Sequence, residues 1–148
     1  MIARAPKISG SKSKLDFDFY FITDRKSSRQ GDIADVKAAL SAGCRIIQYR
    51  EKDLSTREFY GTAKEIAKLC KENRALFVIN DRIDIALAVN ADGVHIGKKD
   101  LPYAVARKLL GKEKIIGVSA NSLQEALEAE KQGADYVSAS PVFFTSTK

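Results

Sequence analysis

Leu76-Phe77-Val78-Ile79-Asn80-Asp81-Arg82, continuing through Ile83-Asp84-Ile85-Ala86 to Asn90-Ala91-Asp92-Gly93-Val94-His95-Ile96-Gly97, decides the fold. A short apolar run rich in β-branched and aromatic residues ends in a polar turn. A helical pattern follows, and a second apolar run begins at Gly93. Continuous apolar strands alternating with helices are the mark of βα units around a parallel sheet covered on both faces. Working outward, the same alternation predicts six strands, approximately Phe17–Ile22, Arg45–Arg50, Leu76–Asn80, Gly93–Ile96, Ile115–Ser119 and Tyr136–Ser140.

The helices between them carry their own signals. In the segment Ser55–Asn73, Phe59, Ala63, Ile66, Ala67 and Cys70 recur at helical spacing and form one apolar stripe. Ser55 with Glu58 reads as a capping box, and Ser122 with Glu125 repeats it ahead of a helix that Gly133 should stop. Pro102 suits the first turn of another. Ala42-Gly43-Cys44, Asn90-Ala91-Asp92 and Gly133-Ala134-Asp135 each join a helix to the next strand, a weak internal echo that fits a repeating unit.

A chain of 148 residues that is 45% apolar and 30% charged is a single globular domain rather than a disordered one. Of the formal charge of +6, Arg4, Lys7, Lys12 and Lys14 all precede the first acid, Asp16. The excess therefore sits mainly in a basic tail over residues 1–15, expected to be flexible, and residues 16–148 form a nearly balanced domain. No stretch has the apolar length of a leader or a membrane span, so a cytoplasmic protein without membrane or nucleic-acid partners is expected. Cys44 and Cys70 read as reduced core residues. The single His95 lies inside an apolar run and reads as a satisfied structural histidine.

Chemistry collects where strands end: Gln48-Tyr49-Arg50-Glu51-Lys52, Asn80-Asp81-Arg82, Gly97-Lys98-Lys99-Asp100, Ser119, and Thr145-Ser146-Thr147-Lys148. A barrel brings every strand's C-terminal end to one rim, whereas an open doubly wound sheet gathers its site at one switch point; polar groups ending five strands favour the barrel. Arg50 and Lys52, two apart on an extended segment, point the same way and suit a diphosphate, Arg as a bidentate fork and Lys as a point charge. The plainer alternative is a surface ion pair with Glu51. Asp81 and Asp100 suit Mg²⁺, which takes a few carboxylates and completes its octahedron with water and phosphate oxygens; the alternative is helix capping. Asn80, Ser119, Thr145, Ser146 and Thr147 can donate to phosphate or simply close loops. Neither a nucleophilic triad nor a Gly-rich phosphate loop is present.

Taken together, Gln48 to Lys52, Ile79 to Ala86, Ala91 to Gly97 with Asp100-Leu101-Pro102, Gly117-Val118-Ser119 and Thr145 to Lys148 resemble the thiamine-phosphate synthase family, in order and at similar spacing from Tyr20 onward. The resemblance implies a TIM (β/α)8-type barrel, of which about six βα units are present. It also implies a transferase that joins 4-amino-5-hydroxymethyl-2-methylpyrimidine diphosphate to a thiazole phosphate, giving thiamine phosphate and pyrophosphate. Family contacts to the diphosphate and pyrimidine then fall on Gln48, Arg50, Lys52, Asn80, Ser119 and Lys148, with Arg50, Lys52, Ser119 and Lys148 the catalytic set. Mg²⁺ ligands fall on Asp81 and Asp100, and thiazole-phosphate contacts on Thr145, Ser146 and Thr147. Ser140-Pro141 and Phe144 depart from the family's pattern around the hydroxyl loop, and the two further βα units of a complete barrel do not follow Lys148. These departures lead to the expectation of a fragment with two sheet edges open to pairing, including pairing with another copy. Two alternatives remain: a thiazole tautomerase-like isomerase of the same fold, and a non-catalytic phospholigand-binding or nucleic-acid-binding protein.

Overall fold

The computed structural model describes residues 19–139. The expected basic tail, Phe17 and Asp18 of the first predicted strand, and everything from Ser140 onward lie outside the described residues. Strands and helices alternate throughout: β1 (Tyr20–Ile22), α1 (Asp32–Ser41), β2 (Ile46–Tyr49), α2 (Thr56–Glu72), β3 (Leu76–Asn80), α3 (Ile83–Ala88), β4 (Gly93–Ile96), α4 (Tyr103–Leu110), β5 (Ile115–Ala120), α5 (Leu123–Gln132) and β6 (Tyr136–Ala139). The six strands are all parallel and lie in the order of the chain, β1-β2-β3-β4-β5-β6, with no reversal that would make a switch point.

Strand residues alternate between two faces, and register carries that parity across the sheet. Ile22 pairs Gln48, Gln48 pairs Val78, Asn80 pairs His95, His95 pairs Gly117 and Gly117 pairs Tyr136, so these residues share one face. The opposite face carries Ile47, Tyr49, Phe77, Ile79, Val94, Ile96 and Ile116, buried with Val36 and Leu40 of α1, Phe59, Ala63 and Ile66 of α2, Ile83 and Ile85 of α3, and Ala106 and Leu110 of α4. The main apolar core therefore lies between the sheet and its helices.

The other face is the inside of a curl. Laid flat at ~4.8 Å between strands, the two edges of such a sheet would stand about 24 Å apart. Yet the hydroxyls of Tyr20 on β1 and Tyr136 on β6 are 2.7 Å apart, with the rings edge-to-face at 5.8 Å between centroids. Closure of this degree is the geometry of a parallel barrel wall. It depends on Gly117, because a Cβ there would overlap the Tyr136 ring that lies across β5.

The local signals mostly behave as the sequence indicates. Ser55 and Glu58 form a complete capping box on α2, and Gly133 ends α5 in the left-handed region at φ 92°. The second box is only half present: Ser122 accepts from the Glu125 amide, but the Glu125 carboxylate takes the Asn121 amide at 2.8 Å and the Lys98 ammonium at 3.0 Å. Lys98 draws that side chain away from the cap. Pro102 stands one residue before α4, at its N-cap. Both cysteines are buried thiols, and burial pushes Cys70 up to about 12, so it stays protonated and inert.

The internal echo has a physical basis. Asp92 and Asp135 occupy the third position of their joints, and their carboxylates accept the amides of Phe77 and Ile116 at 2.8 Å, clasping the preceding strand. Cys44, at the same position of the first joint, instead directs its thiol to the Phe19 carbonyl at 3.3 Å. A further clasp shapes the rim: fully buried Thr23 accepts the Arg50 amide at 2.9 Å and donates to the Arg50 carbonyl at 3.2 Å, extending β1–β2 pairing past the last strand residue.

Two stability outcomes follow. Gly117→Ala should lower unfolding free energy by about 1–3 kcal/mol through overpacking against Tyr136, read as a lower denaturation midpoint at unchanged slope. Thr23→Val keeps the shape but strands both Arg50 backbone groups, and should cost about 1–3 kcal/mol; an unchanged midpoint would show that water replaces the clasp.

Candidate active site

Because the strands are parallel, their C-terminal ends face one way, and the sequence candidates from four of them lie at or near those ends. Gln48 lies within β2, and Arg50 and Lys52 follow it; Asn80 is the last residue of β3, Asp81 follows, Asp100 lies beyond β4, and Ser119 lies near the end of β5. Lys148 and Thr145, Ser146 and Thr147 are outside the described residues.

Lys52 reaches across from the β2 loop to the β3 loop, its ammonium 3.5 Å from the Asp81 carboxylate. Glu51 is not the partner of Arg50 or Lys52. One of its oxygens accepts the Lys52 and Asp53 amides at 2.6 and 2.9 Å, and the other faces Arg25 at 3.9 Å.

Asp81 is held in an uncommon conformation. Its φ is +64°, and the Arg82 amide donates to the Asn80 carbonyl at 2.7 Å, closing a three-residue turn around it. Positive φ costs a non-glycine residue energy, least for Asp and Asn, and strain of this kind concentrates where a side chain must be aimed. The Asp81 amide is anchored by the His95 carbonyl at 2.9 Å. Neither aspartate caps a helix: the N-cap positions of α3 and α4 are Arg82 and Pro102, without a side-chain cap bond. Asp100 instead accepts the Gly97 amide at 2.7 Å, which fixes the β4 loop.

Burial raises the Asp81 carboxyl above its ordinary value, and a hydrogen bond and like charge from Asp100 raise it further, with Lys52 opposing. Two carboxyl groups this close repel one another when both are ionised. A hard divalent cation removes that repulsion. No cluster of three or more His, Cys, Asp or Glu ligands occurs among the described residues. A pair of carboxylates at an open rim fits Mg²⁺, which keeps several waters and takes substrate phosphate oxygens.

Below the rim, the inward face joins Gln48, His95 and Ser119 to two tyrosines, Tyr20 and Tyr136, that the sequence reading passed over. Gln48 Nε2 donates to the Tyr20 hydroxyl at 2.7 Å, Tyr20 meets Tyr136 at 2.7 Å, Tyr136 meets His95 Nδ1 at 3.1 Å, and His95 Nε2 meets Ser119 Oγ at 2.9 Å. His95 also stacks on Tyr136, centroids 5.5 Å apart. Burial raises both phenols above their ordinary value, so both stay protonated. His95 is indeed satisfied, yet it belongs to the wall of the site. Strand parity was the available signal, since Tyr20, Gln48, Asn80, His95, Ser119 and Tyr136 are polar or aromatic positions on one face of otherwise apolar strands. Thr23, acting through the Arg50 backbone, left no such signal.

The chain was compared with known proteins. A family model described as thiamine monophosphate synthase matches residues 19–148. A thiamine-phosphate synthase from Methanosarcina barkeri is 56% identical over 139 residues, covering 93% of this chain and 63% of the relative. One from Clostridium novyi is 49% identical over 135 residues, covering 90% of this chain and 66% of the relative. The solved thiamine phosphate pyrophosphorylase from Pyrococcus furiosus superposes with a TM-score of 0.78 at 48% identity, over 84% of this chain and 60% of that one. The chain thus spans a little under two thirds of the length of the proteins it matches. A six-stranded curl with this rim, matched over nearly its whole described length, places the chain in the thiamine monophosphate synthase family.

Proposed function

We propose that this chain carries the Mg²⁺-diphosphate half of a thiamine-phosphate synthase site, for the transfer of the 4-amino-5-hydroxymethyl-2-methylpyrimidine group from its diphosphate to a thiazole phosphate, releasing pyrophosphate. The observation that carries the reading is the cluster of Lys52, Asp81 and Asp100 where β2, β3 and β4 end, with Lys52 bridging two loops to Asp81; Arg50, Asn80 and Ser119 lie at or near the same ends of their strands. Two cations, two close carboxylates, an amide and a hydroxyl match what a metal-bound diphosphate needs. The relatives are named for synthesis of the same product, thiamine phosphate.

In this reading the reaction is a departure of pyrophosphate that leaves positive charge on the pyrimidine methylene, which the thiazole nitrogen captures. Arg50 and Lys52 stabilise charge growing on the leaving group, and Asn80 and Ser119 donate to its oxygens. Asp81 and Asp100 would hold Mg²⁺, which supplies charge neutralisation to the diphosphate when bound. Thr145, Ser146 and Thr147 would take the thiazole phosphate, and Lys148 the pyrophosphate. No helix among the described residues is long and apolar enough to cross a membrane. We extend the reading to a cytoplasmic enzyme of small-molecule substrates that can assemble as a homo-oligomer.

Incubating the chain with both substrates tests the proposal: Mg²⁺-dependent pyrophosphate release supports it, and thiazole isomerisation without pyrophosphate identifies a tautomerase instead. Arg50→Ala should lower kcat/KM by at least about a hundredfold, the scale of losing one aligned charge contact worth roughly 2.7–4 kcal/mol, while leaving the melting temperature in place. Near-normal kinetics would remove Arg50 from the machinery. Asp81→Asn should raise the Mg²⁺ concentration for half-maximal turnover by about tenfold or more. Its effect on stability has the opposite sign. A carboxyl whose folded pKa is raised makes the fold less stable once ionised, so the neutral amide should leave the melting temperature at pH 7 unchanged or higher; a clear drop would show that the Lys52 pair outweighs the Asp100 repulsion.

A further inference from the structure

The turn that carries Arg50 and Lys52 is gripped by two side chains. Thr23 takes both backbone groups of Arg50. Glu51 takes the next two amides: its Oε1 accepts from Lys52 at 2.6 Å and from Asp53 at 2.9 Å. Lys52 and Asp53 are exposed, so water can satisfy their amides as well as a carboxylate can. The carboxylate itself is withdrawn from water, since the Glu51 side chain is only 4% exposed.

Burial makes this a costly way to hold two exposed amides. Alternation past Tyr49, whose ring packs on Phe59 of α2, places Glu51 on the helix side of the sheet. There it faces Asp32, the first residue of α1, whose carboxyl is raised above its ordinary value by burial and then by the Glu51 charge. Glu51 Oε2 and Asp32 Oδ1 are both buried with no hydrogen-bond partner among the described residues. The cation paired with Glu51, Arg25, stands 3.9 Å from it and is more than half exposed. A buried carboxylate with an acidic neighbour and an unbonded oxygen lowers the stability of a fold, and an apolar side chain would suit the helix layer better. Stability therefore does not account for Glu51. Among the described residues, the groups its carboxylate hydrogen-bonds are the two loop amides.

We propose that Glu51 is a positioning residue for the diphosphate site, its buried carboxylate holding the Lys52 and Asp53 amides and so fixing the backbone from which Lys52 reaches the rim. The proposal rests on the reading of that rim as a diphosphate site. Lys52 is a point charge on a long flexible stem, and its ammonium stands 3.5 Å from Asp81 on the neighbouring loop. Anchoring its amide leaves the side chain able to turn toward an anion while the backbone stays in place. A loop held in this way has less disorder to lose when the anion binds, and that saving is recovered as affinity.

Calorimetric titration of the chain with inorganic pyrophosphate in the presence of Mg²⁺ tests this. Glu51→Leu should bind about five- to tenfold more weakly, yet melt at an unchanged or higher temperature because an apolar group replaces a buried charge. A merely structural role would move binding and melting in the same direction. Glu51→Gln, whose carbonyl oxygen can still take both amides, should bind within about twofold of the unsubstituted chain. In a Lys52→Ala background, Glu51→Leu should weaken binding by less than about twofold further, because the side chain it positions is gone. Hydrogen exchange reads the grip without any ligand: the Lys52 and Asp53 amides should exchange faster in Glu51→Leu than in Glu51→Gln. A Glu51→Leu chain that binds pyrophosphate normally, that loses binding and melting temperature together, or that weakens Lys52→Ala just as much, would overturn the proposal and leave the diphosphate reading standing. If the unsubstituted chain binds no pyrophosphate with Mg²⁺, the diphosphate reading fails and the proposal with it.

Discussion

The hydroxyl contact between Tyr20 and Tyr136 marks the constraint on which the rest depends: the six parallel strands must curl until the first and the last face each other. Sheet twist and the packing of α1 to α4 on one face drive the curl, since an apolar outer face is buried only by wrapping helices around it. Gly117 permits it locally by leaving space for the Tyr136 ring. Once curled, the sheet has an inside with room for a polar network, and its strand ends lie close enough for Lys52 of one loop to reach Asp81 of the next.

The two faces of the strands divide the work. Residues of one parity, such as Ile47, Phe77, Ile79 and Ile116, are packed against helices and hold the fold together. Those of the other parity include Gln48, Asn80, His95 and Ser119, and Gln48, His95 and Ser119 take part in hydrogen bonds inside the curl. A one-residue slip in register would exchange these roles on a whole strand, exposing apolar side chains inside and burying unpaired polar ones outside. The clasps made by Asp92, Asp135 and Thr23 to backbone amides oppose such a slip at both ends of the strands.

At the rim, organisation runs against stability. Asp81 combines a left-handed backbone, partial burial and an acidic neighbour, and Asp100 is tied to the Gly97 amide. The left-handed backbone and the acidic neighbour each cost the fold something, and the proposed cation site would account for both. Lys52 offsets part of the repulsion, and its exposed position leaves it able to turn toward an incoming anion.

How much of this was legible in the sequence depends on the range of the interaction. Alternating apolar runs, the Ser55–Glu58 box, the Gly133 stop and the polar residues closing each strand are local signals, so the βα order and the rim candidates Arg50, Lys52, Asn80, Asp81, Asp100 and Ser119 could be read before any coordinates. The repeated box at Ser122 failed because Lys98, distant in sequence, competes for Glu125. The contacts of the Tyr20–Tyr136–His95 chain and of the Thr23 clasp were not legible for the same reason: strand parity points to the three ring residues, but each contact joins different strands. Sequence by itself determined the elements, their order and the chemical groups at the strand ends, because those follow from periodicity and local backbone preference. Only the tertiary structure decided which groups share a hydrogen bond and which way a carboxylate points, because those depend on how far the sheet curls, and curl is a property of all the strands together.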